Sequence, residues 1–283
     1  MNSKEIDPII SQALKEDRCR QDITTRLLIP NHETCKAFII VKENATVCGL
    51  DVAKKVFLKI DPSIQFHSIY HNGAKVKKNT KIAFISGKAR SILSAERVAL
   101  NFLGILSGIA TQTYQYVLKI RPYKPKIMDT RKTTPGIRSL EKMAVKWGGG
   151  CNHRFHLAES VFIKDNHKSC GKDSSLLSAM IQRVRKLTKK LVEVEVENLL
   201  EYKEALKGAP DIILLDNMTP QQMRKAVLLN KRRKGGRKIL LEASGGVTLK
   251  NVRAIARTGV DRISIGALTH SRKSIDLSLE VIN

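Results

Sequence analysis

In the stretch KIMDTRKTTPG, residues 126–136, Arg131 and Lys132 stand between Thr130 and the pair Thr133 and Thr134. Two cations and three hydroxyls in so short a segment supply many hydrogen-bond donors, the equipment for holding an anion. An apolar run precedes them and Pro135-Gly136 follows, so they sit where a strand passes into a loop. Further along, His153 and Arg154 (GGGCNHRFHL) and Lys164 (SVFIKDNH) add positive groups. Glu195 (LVEVEVEN) and Asp216 (DIILLDN) add carboxylates, and Ser244, Gly245, Gly246, Gly266 and Ala267 lie in the small-residue stretches EASGG and IGALTHS. Cations bind a polyanion, carboxylates favour developing positive charge, and small residues let backbone N–H groups approach a phosphate.

Six apolar runs carry most of these residues: 126–132, 160–167, 191–198, 211–217, 238–246 and 262–270. Helical patterns such as SSLLSAMIQRVRKL and TLKNVRAIARTG lie between them. In the second, Leu249, Val252, Ile255 and Ala256 share a face, with Thr248 as N-cap and Gly259 as C-cap. Alternating strand and helix without a dinucleotide-binding fingerprint predicts an α/β fold with a parallel sheet, a βα barrel open or short of strands. In such barrels the C-terminal strand ends carry the chemistry. Thr130, Arg131, Lys132, Lys164, Glu195, Asp216, Ser244, Gly245, Gly246, Gly266 and Ala267 fall at those ends: cations first, carboxylates next, small residues last.

The first hundred residues differ. KAFIIVKENATVCGL and KIAFISGKARSIL are strand-like, Asn72-Gly73 between them reads as a turn, and DVAKKVFLKI is a short helix. This half is expected to be an N-terminal α/β sandwich. From 91 to 118 the only charges are Glu96 and Arg97. A helix so apolar is expected to be buried on most faces, and Arg97 within it needs a partner, either Glu96 or a neighbouring subunit's site. The expected domains are 1–110, joined by 273–283, and 111–272.

The chain has 283 residues, of which 42% are hydrophobic, enough for a real core. Its N-terminus lacks a signal-peptide core, and VALNFLGILSGIA is too short and interrupted an apolar tract to span a bilayer. Five scattered cysteines without a CxxC pair argue for reduced thiols in a cytoplasm, and against zinc or a disulfide framework. Lys and Arg number 51 against 26 Asp and Glu, a net charge of +25. That excess steers anions but names none. The densest basic run, KRRKGGRK, has no interleaved aromatics, so it reads as a solvated loop rather than a nucleic-acid surface.

Taken singly, the motifs have ordinary readings. Glu193, Glu195 and Glu197 alternate as on the solvated side of an edge strand, Asp216-Asn217 resembles a turn, and His153 and Arg154 could pair locally. Together, DITT at 22, SAERVALNFLGILSGIAT at 94, DTRKTTPGIRSLEKMAV at 129, GGGCNHRFHL at 148 and IKDNH at 163 resemble the quinolinate phosphoribosyltransferase (nicotinate-nucleotide pyrophosphorylase, carboxylating) family. EVEVEN at 193, LLDN at 214, EASGG at 242 and IGALTHS at 265 extend that resemblance over nearly the whole chain.

The resemblance implies an N-terminal α/β sandwich, an incomplete (open) α/β barrel of TIM-like type, and a cytoplasmic homodimer. It implies transfer of the phosphoribosyl group of PRPP (phosphoribosyl pyrophosphate) to quinolinate with decarboxylation. Arg131, His153, Arg154 and Lys164, with Arg97 from the partner subunit, would surround the two carboxylates, with Thr130 beside them. Lys132 would reach quinolinate or PRPP. Glu195 and Asp216 would face the ribose. Ser244, Gly245, Gly246, Gly266 and Ala267, with His270 and the dipole of a helix starting near Thr248, would hold the 5-phosphate. Mg2+ would arrive on PRPP with no direct protein ligand, and no membrane or nucleic-acid partner is implied. His156, Glu159 and Gln21 depart from the usual pattern, which bears on the local shape beside the NHR motif. A paralogue of the same fold, such as the ModD-type proteins associated with molybdenum transport, and a nucleic-acid-binding protein are the competing readings.

Overall fold

The computed structural model describes residues 3–170, 176–233 and 238–282, so Ser174, Ser175 and the middle of KRRKGGRK lie outside it. In chain order the elements are α1 (Ser3–Glu16), α2 (Ile23–Leu28), β1 (Thr34–Val41), β2 (Ala45–Thr46), α3 (Leu50–Ile60), β3 (Gln65–Ser68), β4 (Lys75–Val76), β5 (Thr80–Lys88) and α4 (Ala89–Lys119). Next come β6 (Lys126–Met128), α5 (Arg138–Trp147), β7 (Val161–Ile163), α6 (Asp165–Cys170), α7 (Leu177–Leu187), β8 (Val192–Val196) and α8 (Leu199–Gly208). The chain continues through β9 (Ile212–Asp216), α9 (Pro220–Lys231), β10 (Leu240–Ser244), α10 (Val252–Ala256), β11 (Arg262–Ser264), α11 (Ala267–His270) and β12 (Leu277–Ile282). They form two compact units. One holds the chain up to Tyr114, Lys132–Gly149 and everything from Ala267 onward; the other holds Gln115–Arg131 and Gly150–Gly266.

The first unit is built on an antiparallel sheet in the order β12-β1-β5-β3. Phe57 of α3 packs against Phe66 of β3 with ring centroids 5.9 Å apart. The Asn72-Gly73 turn does more than reverse the chain. The Asn72 side-chain oxygen accepts the N–H groups of Gly49 and Leu50, at 3.0 and 3.2 Å, and so caps α3 from a distance in sequence. Asp22 of DITT caps α2 through the Thr25 N–H and also accepts the Ser94 hydroxyl of α4. As a whole α4 is long and apolar enough to cross a membrane, unlike the shorter tract singled out in the sequence, but 61% of its most apolar window is buried inside the protein. Its bareness at Gly104 and Gly108 lets the 273–275 segment pass close: a Cβ on Gly108 would lie 1.8 Å from the Lys273 carbonyl oxygen.

The second unit carries all six strands expected from the apolar runs, in one parallel sheet ordered β6-β11-β10-β9-β8-β7. From β7 to β11 strands consecutive in sequence are neighbours, and the last, β11, pairs with the first, β6, as in a barrel. The ring is broken only between β6 and β7, so the barrel is open along that seam. The segment before β7 enters the seam instead, where Cys151 makes a single parallel bridge to Met128.

Alternation along the strands sorts the side chains. Val192, Val194, Val196, Ile213, Leu215, Leu241, Ala243 and Ile263 are all buried. The residues between them include Glu193, Glu195, Asp216, Glu242, Ser244, Arg262 and Ser264. One face of this sheet is therefore an apolar layer and the other is strongly polar, which is the face available for chemistry. β8 is an interior strand with every residue buried, so its glutamates are not the solvated side of an edge strand.

Candidate active site

The seam joins the two cationic motifs. Asp129, fully buried, donates its N–H to the Cys151 carbonyl at 3.1 Å and accepts the His153 N–H on Oδ1 at 2.9 Å. The Cys151 N–H returns to the Ile127 carbonyl at 2.8 Å. A carboxylate receiving a main-chain N–H from the opposite motif fixes one loop against the other. Asp129 and the NHR motif are thus tied together at the open edge of the barrel.

Phe162 on β7 is the platform for the cations. The Arg154 guanidinium carbon lies 5.2 Å and the Lys164 ammonium 4.7 Å from its ring centroid, and the His153 ring stacks on it at 5.8 Å. Cations sit well against a ring's negative face. Arg154 is further oriented by a 2.8 Å bond from Nη1 to the Ser160 carbonyl. Its guanidinium holds its proton less tightly than usual, first because it is half-buried and next because Arg131 stands near. The crowding of like charge that an anion would relieve is therefore already built in.

Below His153 lies a buried acid pair. His153 Nε2 is 3.0 Å from Glu193 and 3.6 Å from Glu242, while Nδ1 accepts the Arg154 N–H at 2.8 Å. Glu193 and Glu242 are 1% and 0% exposed. Glu242 also faces Arg262 at 3.8 Å, so neither His153 nor Arg262 stands within hydrogen-bond length of it. Burial pushes the Glu242 carboxyl well up and the Glu193 charge adds to it; His153 and Arg262 offset only part.

At the ends of β8 and β9 stand Glu195 and Asp216. Lys164 Nζ is 3.4 Å from Glu195, and Asn217 donates to Asp216 at 2.8 Å. Burial raises the Glu195 carboxyl, Lys164 pulls it back, and Asp216 pushes it up again. Ser244 at the end of β10 accepts the Asn217 N–H, with Asn217 in the left-handed region at φ 50°. Gly245, at φ +88°, has no room for a side chain: a Cβ would meet the Asn217 side-chain oxygen at 2.1 Å. Gly246 is also left-handed, at φ +57°, and nothing crowds it within 4 Å. The helix expected from Thr248 is there in part: the Thr248 carbonyl accepts the Val252 N–H at 2.9 Å, the bond of an N-cap, and Asn251 accepts the Thr248 N–H in return. Asn251 also donates to the Gly246 carbonyl, and regular helix, α10, runs only over Val252–Ala256. Five residues of regular helix supply a weaker dipole than the longer helix read from Thr248 to Gly259.

Arg131 and Gly266 close their segments of the second unit, and Thr130 precedes Arg131 in it. Lys132, Ala267, His270 and Arg97 belong to the first unit. There the Lys132 carbonyl accepts the Thr269 hydroxyl at 2.6 Å, and the Thr134 N–H goes to buried Glu141, which also faces Arg272 at 3.3 Å. Arg138 donates to the Thr133 hydroxyl at 2.8 Å. The hydroxyl of Thr133, counted in the sequence among anion donors, thus accepts a bond that shapes its own loop. His270 Nδ1 meets the Ser271 hydroxyl, and Ala267 opens α11. Arg97 is exposed on α4 rather than buried within the chain, and it eases the burial-raised Glu96 beside it. His167 Nδ1 accepts the Lys164 N–H at 3.0 Å, and the departing residue Glu159 accepts the Phe155 N–H.

Reading by strand ends missed Asp129, Phe162, Glu193 and Glu242. Asp129 and Glu242 stood inside quoted motifs, and Glu193 was noted only as part of an alternation. For Glu193 and Glu242 the signal was a carboxylate inside an apolar run, at the parity of Glu195.

The chain matches two family models, Quinolinate phosphoribosyl transferase, N-terminal domain, over residues 22–107 and C-terminal domain over residues 109–280. It is 38% identical over 276 residues to a nicotinate-nucleotide pyrophosphorylase (carboxylating) of Mycobacterium leprae, covering 96% of this chain and 95% of that protein. It is 39% identical over 292 residues to quinolinate phosphoribosyltransferase (decarboxylating) 1b of Nicotiana tabacum, covering 96% of this chain and 81% of that one. The solved nicotinate-nucleotide pyrophosphorylase of Francisella tularensis superposes with a TM-score of 0.92 at 39% identity, covering 100% of this chain and 98% of that one.

The acid pair makes a stability prediction. A buried carboxyl raised above its ordinary value of 4.5 contributes fully below that value, and the contribution is lost as pH rises through the raised one. Glu242→Gln cannot ionise. Urea denaturation is expected to show the wild type losing stability relative to this variant as pH rises from the carboxylate range to neutrality. Parallel curves across that range would contradict it.

Proposed function

The chain belongs to the quinolinate phosphoribosyltransferase family, and from that premise we propose which residues carry its reaction: quinolinate plus PRPP gives nicotinate mononucleotide, pyrophosphate and CO2. The observation that carries the assignment is the gathering of Arg154 and Lys164 on Phe162, with the charge of Arg131 felt at Arg154. Two carboxylates on adjacent ring carbons repel each other, so their pocket must supply cations. At an effective dielectric of about 20, each contact near 4 Å is of the order of 4 kcal/mol before desolvation. Arg131, Arg154 and Lys164 serve this need, with Thr130 and His153 beside them. Lys132, next in the chain after Arg131, extends the cationic run toward quinolinate or PRPP.

Glu195 and Asp216 take the ribose. As pyrophosphate leaves, the ribosyl carbon gains positive character, and carboxylates at the ends of β8 and β9 favour that charge while binding hydroxyls. The bond from Lys164 to Glu195 links the dicarboxylate side of the site to the ribose side. Main-chain N–H groups at Ser244, Gly245, Gly246, Gly266 and Ala267 are assigned to the 5-phosphate, with His270 in support; the left-handed glycines suit close backbone approach.

Mg2+ fits as a cation that arrives on the substrate. Glu195 and Asp216 each have one oxygen on Lys164 or Asn217 and in this scheme give the other to the ribose, so the ion would be held by pyrophosphate oxygens and water. There it neutralises the leaving group. Loss of the carboxylate at C2 follows once the alkylated ring nitrogen can accept the electron pair, and we assign no protein group to that step.

The second subunit enters through Arg97. An arginine exposed on α4, where Glu96 is the only other charge from 91 to 118, is assigned to the quinolinate site as Arg97 of the partner subunit of a homodimer. A cytoplasmic setting accords with five free cysteines.

Carboxyl-labelled quinolinate is expected to release labelled CO2 only when PRPP is present. Well-folded protein that releases none would sink the assignment. For the shared site, Arg97→Ala and Glu195→Ala proteins, each inactive alone, are expected to regain partial activity when mixed and allowed to exchange subunits. No recovery after verified exchange would return Arg97 to its own subunit.

A further inference from the structure

Glu193 and Glu242 contact neither substrate in this scheme, yet they lie in the interior of the second unit, where an ionised carboxylate is costly to keep. Their use follows from His153. The Arg154 main-chain N–H can only donate, so His153 Nδ1, 2.8 Å away, must accept. A neutral ring then carries its proton on Nε2, which points at Glu193 with Glu242 close behind. A metal ion bound by the same three side chains would need the Nε2 lone pair that this proton occupies, and Arg262 already places a cation beside Glu242. The cluster suits a proton.

We infer that Glu193 and Glu242 are positioning residues for the acceptor substrate: they grip the Nε2–H of His153, and the ring so fixed holds the main chain from which Arg154 reaches a carboxylate. Each link is a contact. Glu193 meets Nε2, Nδ1 takes the Arg154 N–H, and the Arg154 guanidinium ends on the Ser160 carbonyl and against Phe162. Asp129 holds the same peptide from the other side through the His153 N–H. Glu242 backs Glu193: if both were ionised their repulsion would press on the ring, so the pair is expected to keep a proton between them while the site works. This inference rests on the assignment of Arg154 to quinolinate.

The test is a split between the two substrates. Glu193→Ala removes the acceptor, and the KM for quinolinate is expected to rise about tenfold. The KM for PRPP should stay within about twofold of wild type, because Glu195 and Asp216 are untouched. Glu193→Gln, which still offers an acceptor to Nε2–H, should recover most of the loss. Equal rises in both KM values, or no rise in a folded Glu193→Ala protein, would overturn the inference. Should Glu193→Ala not fold, histidine-selective nitrogen NMR of the wild type decides instead, with His153→Gln to assign the signal. A neutral ring protonated on Nε2 is the expected state, and a ring protonated on Nδ1 or on both nitrogens would refute it. A wild type that does not turn over quinolinate would fail the family assignment itself, and the tautomer would still judge the cluster.

Discussion

Cations held close together repel, and three of them can share a pocket only if the surroundings keep them there before the anion arrives. In the second unit that restraint comes from Phe162 and from the carboxylates around it. The ring offers a face to Arg154 and Lys164, Asp129 ties the His153 main chain, and Glu193 holds the imidazole. Glu195 engages Lys164 from the neighbouring strand. Rigid placement matters because the gain from a charged contact is lost if the side chain must be ordered on binding. The same crowding that weakens Arg154's hold on its proton makes a doubly charged acceptor the natural occupant.

The open barrel is what makes this arrangement possible. A closed ring of strands would pair β6 with β7 and leave no passage for another segment. With the seam open, the chain after α5 threads back along β6, bridges at Cys151, and delivers His153 and Arg154 beside Arg131. The polar face of the sheet then continues from Phe162 through the glutamates of β8 to Asp216 and Ser244. In the proposed scheme that one surface takes in turn a dicarboxylate, a ribosyl carbon and a phosphate.

Much of this was legible in the sequence because its periodicities are strong. All six barrel strands appear where apolar runs end in polar groups, and the long α4 appears where charge disappears. The grouping of cations, carboxylates and small residues at successive strand ends could also be read directly. What could not be read was pairing across the sheet. Glu193 and Glu195 have the same spacing whether β8 is an edge strand or an interior one, and only strand order decides which. Thr248 has the composition of an N-cap and its carbonyl accepts the Val252 N–H, but the regular helix that follows is far shorter than the apolar pattern. Thr133 has the composition of an anion donor, and that its oxygen also accepts from Arg138 could not be read from spacing. Phe162 carries no charge and so gave no sign of organising those that do.

The central claim is that this cationic cluster reads two carboxylates rather than one. Calorimetric titration of the purified protein with quinolinate, beside the same titration with nicotinate, tests it most directly, since the two ligands differ by the single carboxylate that the cluster is built to hold. Saturable binding of quinolinate with no measurable binding of nicotinate is the predicted result. Equal affinity for both, or binding of neither by folded protein, would contradict the claim and mean that the same residues serve a different ligand.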